Sequence, residues 1–336
     1  MSATQAGRTV DLRHDDRDGT DHPGNGHHPD RPSDIGTRGW WEILKRVKTA
    51  LKEEQVSLLA AGVAFFALIA MVPAFIALVS LYGLLADPGD VQRQVADLTQ
   101  AMPTEARDLI EQQLESIVST SSSSLGTGLV IGLALALWSA SSGMRSLMSG
   151  IGVVYKEGDG RGFLKIRLLS LLLTLGAVVF VVGAFFVVAF LPSLLADTGM
   201  GTAGRVAVSI LRWPLLGLGM LAGLAVLYRY APDRADAELR WITPGSLIAI
   251  GLWLAGSIGF SVYTANFGSY NETYGSLGAV VILLLWLYLS AFVILLAGEI
   301  NAQLELQTDA DTTTGPDKPM GQRGATVADE VVPLEG

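Results

Sequence analysis

Two ionisable residues stand at the ends of long apolar runs, Arg145 and Glu299. At 1.5 Å per residue, Arg145 lies about 28 Å along a helix counted from Gly126, and Glu299 about 33 Å along one counted from Leu277. With helix directions set by the charge pattern below, both reach the same membrane boundary, where opposite charges can offset part of the cost of lying near lipid. Three readings stand side by side: Arg145 snorkels while Glu299 caps a helix end, the two form an intramembrane ion pair, or they form a proton or substrate relay. A second group, Tyr270, Asn271, Glu272 and Tyr274, is a polar and aromatic cluster just before the last apolar run. Phenol and amide groups there could hold a headgroup or polyol, and a tight turn beside an aromatic belt explains the same residues. Pro73 falls in the middle of the first apolar run, where it withholds a backbone donor and acts as either a hinge or a fixed bend.

Other chemistry is poorly supplied. Cysteine is absent, so disulfides, thiolate nucleophiles and Cys-ligated zinc are excluded together. His14, His22, His27 and His28 all fall in a polar, Pro- and Gly-rich N-terminal stretch, which reads as a solvated tail. Within the apolar runs, Asp and Glu form no pair at metal-ligand spacing. A metal-dependent nuclease or hydrolase is therefore not expected, nor is a metal or other cofactor. The formal charge of -9 provides no large basic face for nucleic acid.

The elements that must position these groups are membrane helices. Half of the 336 residues are hydrophobic, the mean hydropathy is positive, and apolar runs recur at lengths able to cross a hydrocarbon core. The expected fold is all-α, a polytopic bundle of six transmembrane helices at about 57–85, 126–148, 168–195, 206–230, 243–264 and 277–298. Residues 1–36 and 307–336 are expected to be disordered tails, being polar and poor in apolar side chains. Segment 37–56 carries Trp40, Leu44, Val47 and Leu51 at helical spacing among Lys45, Arg46, Lys48 and Lys52, and reads as a cytoplasmic interfacial helix. Segment 86–125 reads as an amphipathic helical hairpin outside the bilayer core, broken at Pro103.

Lysine and arginine set the sidedness. They cluster before the first span, between the second and third, and between the fourth and fifth, and are scarce in the alternate loops. Both termini are therefore expected in the cytoplasm. Small residues at Ser139 to Gly143, at Gly219 and Gly223, and at Gly251, Ala255 and Gly259 mark helix faces suited to close approach, a minority use being to line a pathway.

Four phrases together resemble one known family: LWSASSGMRSLM (137–148), YKEGDGRGFLKIRLLSLLLTL (155–175), YRYAPDRADAELRWITPGSL (228–247) and YNETYGSLGAVVILLLWLYLSAFVILLAGEINAQLE (270–305). They are similar to the YihY/virulence factor BrkB family of bacterial inner-membrane proteins, over about 40–306. The resemblance implies six helices in the inner membrane, and its older label, ribonuclease BN, is a misassignment. It implies no catalytic residues. The leading expectation is a transporter-like envelope protein that moves or holds a lipid-like or small amphiphilic molecule. The alternatives are a proton- or ion-coupled antiporter using Glu299 and a scaffold docking an envelope protein on 91–119. Membrane lipids are the expected partners, and a homo-oligomer is left open.

Overall fold

The structure, a computed structural model, describes residues 31–85, 122–185, 187–188, 202–265 and 276–332. Its elements are helices: α1 (Thr37–Glu53), α2 (Val56–Leu85), α3 (Ser122–Val154), α4 (Phe163–Phe185), α5 (Thr202–Tyr230), α6 (Leu239–Ala265), α7 (Ser276–Glu305) and a single turn, α8 (Thr326–Asp329). The described residues hold no strand, only an isolated antiparallel bridge between Ala237 and Thr313. Helix is the expected outcome for apolar runs in lipid, because each backbone N–H and C=O must find its partner within the segment.

Among the described residues four helices, within α4, α5, α6 and α7, are long and apolar enough to cross a membrane, and α1 with the first part of α2 makes a fifth candidate bent by 63°. Backbone helix continues through Pro73 in α2. The hairpin expected at 86–125 lies largely outside the described residues, α3 beginning at Ser122.

Neighbours in sequence are neighbours in space. α2 packs on α3, α3 on α4, α4 on α5, α5 on α6 and α6 on α7, and α7 closes the ring by packing on α2. α7 also touches α1, α3 and α8, which makes it the common partner of most elements. The small face at Ser139 to Gly143 works as expected: a Cβ at Gly143 would sit 3.5 Å from the Ala67 nitrogen of α2. On α6 the packed face differs from the expected one. Gly251, Ala255 and Gly259 are exposed, and α6 instead meets α7 through Gly245 and Gly256. There Trp253 Nε1 donates to Ser290 Oγ at 3.0 Å.

One end of the ring is densely packed. Val56, Ala60, Met148, Ile151, Tyr155, Tyr228, Ile242, Leu295 and Leu306 form its core, and the Tyr228 hydroxyl donates to the Ile294 carbonyl at 2.7 Å. α1 lies across this end, burying Ile43, Val47 and Ala50 while Trp41 and Leu44 remain exposed. Of the expected stripe, Trp40, Val47 and Leu51 pack against this end, and Ile43 takes the place of Leu44 in meeting Trp241, Ile300 and Leu304.

The expectation of a disordered C-terminal tail fails over 307–332. Thr312, Thr313, Arg323, Val327 and Ala328 are buried, and the segment is sewn to the α5–α6 loop by Glu238 N to Thr312 O (2.9 Å), Thr314 N to Asp236 O (2.8 Å) and Ala235 N to Gly324 O (2.8 Å). Its polar residues satisfy the segment's own backbone: Asp311 accepts from Thr313 N, Thr313 Oγ1 and Lys318 N. Arg323 donates to the Lys318, Ala310 and Ala328 carbonyls. Polar composition here is turn chemistry, not solvation. At the other terminus, residues 31–36 also leave the tail, since Ile35 packs beside Ile43 and Val47.

Candidate functional site

α7 is 30 residues long, about 45 Å at 1.5 Å per residue, and so outreaches a hydrocarbon core by several turns. Its surplus is the alternating stretch Glu299, Ile300, Asn301, Ala302, Gln303, Leu304, Glu305, which Leu306 and Gln307 continue in the turn beyond. On a helix, polar groups at every second position advance by about 200° and so fall on two opposite sides of the axis. Each of these polar side chains is nonetheless buried, so polar partners are needed on both sides.

The partners come from the elements ringing α7. Glu305 forms a bidentate pair with Arg234 of the α5–α6 loop, Nη1 to Oε1 at 3.2 Å and Nη2 to Oε2 at 2.7 Å. The two side chains are 0% and 1% exposed, and the Thr312 hydroxyl adds a donor to Oε2 at 2.7 Å. Arg46 of α1 donates to Gln303 Oε1 at 2.8 Å and Gln307 Oε1 at 2.6 Å. Asn301 Oδ1 accepts from the backbone N–H of Gly245 at 2.8 Å. Pro244 has no N–H to give at that point of α6, and a Cβ at Gly245 would fall on the Asn301 amide and the Ala297 carbonyl. Only glycine allows this contact.

Glu299 is different. Gln303 Nε2 donates to its Oε1 at 2.8 Å, but its Oε2 is buried without a donor. The carboxyl it faces is Glu54, at the elbow between α1 and α2, whose own Oε2 is likewise buried without a donor. Burial pushes the Glu54 carboxyl above the ordinary carboxylate range, and the positive charge of Lys156 works against that rise. Gln55 (φ 52°), next to Glu54 in the chain, and Lys156 (φ 57°), whose charge acts on both carboxyls, are the non-glycine residues with left-handed backbone among the described residues. Such conformations are strained for residues with a Cβ and recur where structure serves a site.

The anticipated partner of Glu299 is elsewhere. Arg145 places its guanidinium 5.7 Å from the centre of the Phe163 ring and makes no ion pair with Glu299. Tyr270, Asn271, Glu272 and Tyr274 lie outside the described residues, as does the side chain of Pro73. Sequence reasoning missed Glu54, Arg46 and Arg234, treating the two arginines only as topological charge. The readable signal was the polar–apolar alternation of 299–305, which on one helix sets polar groups on two opposite sides and so requires polar company.

A further built-in arginine is Arg167 of α4. It stacks 3.5 Å from the Trp138 ring centre and donates to the Trp138 carbonyl at 3.0 Å, a clamp between α3 and α4.

Comparison with known proteins gives the chain relatives. It is 32% identical over 250 residues to a ribonuclease-like protein, YfkH, of Bacillus subtilis, covering 73% of this chain and 88% of that one. A UPF0761 membrane protein of Rhodospirillum centenum is 27% identical over 274 residues, 80% of this chain and 59% of that protein. A UPF0761 membrane protein of Pseudoalteromonas translucida is 25% identical over 281 residues, 82% of this chain and 88% of its own. No solved structure matches. The family model for virulence factor BrkB matches residues 47–321, which takes in the helical ring, the polar end of α7 and much of the folded C-terminal segment. The chain is an integral membrane protein of the BrkB family.

Proposed function

We propose that this protein holds or moves a lipid-like or small amphiphilic molecule in a space between its helices, entered from the end of the ring opposite α1. The observation that carries this reading is the far half of α4. From 175 to 183 every residue except Phe180 is exposed, and nine consecutive residues pass through every face of a helix. A helix that only lined the lipid would hide one face against its neighbours. Exposure on nearly all faces of an apolar helix fits a cleft behind it, wet or lipid-filled, and an apolar lining suits an acyl chain.

The reading includes topology. α2 to α7 are taken as six spans of the bacterial inner membrane, with the packed end and both termini in the cytoplasm. It is supported by the convergence on one end of Lys45, Arg46, Lys156, Arg161, Arg229 and Arg234, a positive-inside pattern. With Trp41 and Leu44 exposed on its outer face, α1 suits the headgroup layer. The function is read as non-enzymatic, with no cofactor. Direct binding to envelope proteins through 91–119, and self-association, are secondary to this reading.

The test is movement of fluorescent phospholipid in proteoliposomes. Replacing Gly176 or Gly183, each with open space around it, by tryptophan is expected to cut the rate at least tenfold while leaving thermal unfolding near wild type. No protein-dependent movement by the wild type, together with no crosslinking of a photoactivatable phospholipid to α4, rejects the reading.

A further inference from the structure

We propose that Glu54 and Glu299 form a proton-binding site, an acid–carboxylate pair that holds one proton between its facing oxygens and thereby ties the α1–α2 elbow to α7. The proposal does not rest on the amphiphile reading and would stand if that reading failed.

Its basis is hydrogen-bond accounting. Oε2 of Glu54 and Oε2 of Glu299 are both buried, and neither receives a hydrogen bond from any donor among the described residues. An ionised carboxylate can only accept, so two of them facing one another bring two unsatisfied acceptors and two like charges together. A single proton resolves both problems: one carboxyl becomes a donor and the other its acceptor, with net charge -1 rather than -2 across the pair. Two nearby donors are engaged elsewhere, and the Tyr155 hydroxyl and Asn301 Nδ2, both buried, make no hydrogen bond to these oxygens. Gln303 Nε2 is spent on Glu299 Oε1, and Arg46 is spent on Gln303 and Gln307.

The surrounding charges fit a site that exchanges its proton. From the elbow, Glu53 adds negative charge near Glu54, and from the turn after α3 Lys156 adds positive charge to both carboxyls. The Tyr155 hydroxyl, also at that turn, is buried close enough to feel Glu299. On α7 the next carboxylate, Glu305, is neutralised by Arg234. Lys156 is exposed, so the pair lies within reach of water on one side while Glu299 itself is fully buried. The strained backbone at Gln55 and Lys156 holds the elbow and the cation against the pair.

The sign of the pH dependence follows. Glu54 has a raised pKa in the folded protein, so its contribution to stability is fully present below the unfolded carboxyl value of about 4.3 and is lost as pH rises through the folded value. Deprotonation leaves two facing carboxylates, and the elbow loosens from α7. Because α1 reaches Gln303 and Gln307 through Arg46, loosening the elbow also loosens the cover over the end of α7.

The experiment uses the full chain in lipid nanodiscs, followed by infrared difference spectroscopy during a pH titration. A carbonyl band of a protonated carboxyl is expected at neutral pH in the wild type, absent in Glu54→Gln and absent in Glu299→Gln, since either amide supplies the donor permanently. Hydrogen–deuterium exchange of 52–59, corrected for intrinsic rates, is expected to quicken as pH rises in the wild type and to stay flat in Glu54→Gln. Lys156→Gly removes the cation and suits a positive φ, and is expected to move the band's midpoint to higher pH. The proposal is overturned if the wild type shows no such band, if the band survives both glutamine variants, or if sodium at fixed pH abolishes it, which would mark a metal cation in place of the proton. Should a glutamine variant fail to fold, the Lys156→Gly titration decides: an unmoved midpoint overturns the proposal.

Discussion

The two ends of the ring are built from similar apolar helices and behave differently. At the packed end, α1, the α5–α6 loop and 307–332 surround α7, and Arg46, Arg234, Gln303 and Glu305 make polar pairs across it. In the far half, α4 and α6 leave most residues exposed and cross-helix polar contacts among the described residues are few, the Trp253–Ser290 bond being one. The contrast shows what holds helices together in lipid. Acyl chains solvate leucine as well as another leucine does, so cohesion comes from close fit and from polar pairs. The packed end has both, which leaves the far half free to part.

The pair at the packed end gives the sharpest test. Arg234→Ala or Glu305→Ala leaves a buried charge unmatched and is expected to cost about 3–5 kcal/mol, measured by thermal unfolding in detergent. Arg234→Met with Glu305→Leu should recover most of that loss, because an apolar pair needs no partner charge. Single variants that melt like wild type would show that this end is not the anchor. Two glycines six positions apart on α6 carry the comparison within one helix. Gly245→Ala drives a methyl into Asn301 and Ala297 and is expected to cost about 1–3 kcal/mol. Gly251→Ala meets open space and should stay within about 0.5 kcal/mol. Equal effects would erase the distinction between the ends.

A smaller effect concerns acid. Burial works against the Asp311 charge, but hydrogen bonds from Thr313 and Lys318 and the nearby Arg323 outweigh it and hold the carboxyl below its ordinary value. A lowered folded pKa means stabilisation that is present above about pH 4 and lost as pH falls through the folded value. Limited proteolysis within 307–332 should therefore quicken in strong acid, and Asp311→Asn should show part of that sensitivity at neutral pH.

Much of the helical fold was legible because lipid imposes one rule on long apolar runs, although among the described residues four helices, or five with the bent α1–α2 pair, meet the length and composition of a crossing where six were expected. Each of the six apolar runs expected from the sequence lies mostly within one of α2 to α7, with boundaries several residues out at some ends. α3 and α7 run past their apolar stretches, since helix continues wherever protein replaces lipid as surroundings. What the sequence hid was company. Glu299 was visible as an unusual charge, but Glu54 lies 245 positions away, and an elbow that folds back on α7 has no local signature. Arg145 was a reasonable partner by depth along its helix, yet depth says nothing of azimuth, and its side chain turns to Phe163. The C-terminal segment misled for another reason: Asp, Thr, Gly and Pro mark chains that stay in water and chains that make tight turns alike.

The order of synthesis gives that closing segment a particular consequence. Arg46, Glu54 and Arg234 are translated long before the residues that receive them, which all lie at or after Glu299. A nascent chain must therefore carry these charges in water, or at the headgroups, until its last helix emerges. The final tenth of the polypeptide acts as a keystone: the earlier helices can be threaded into the bilayer without it, but their inner ends become one body only when it arrives.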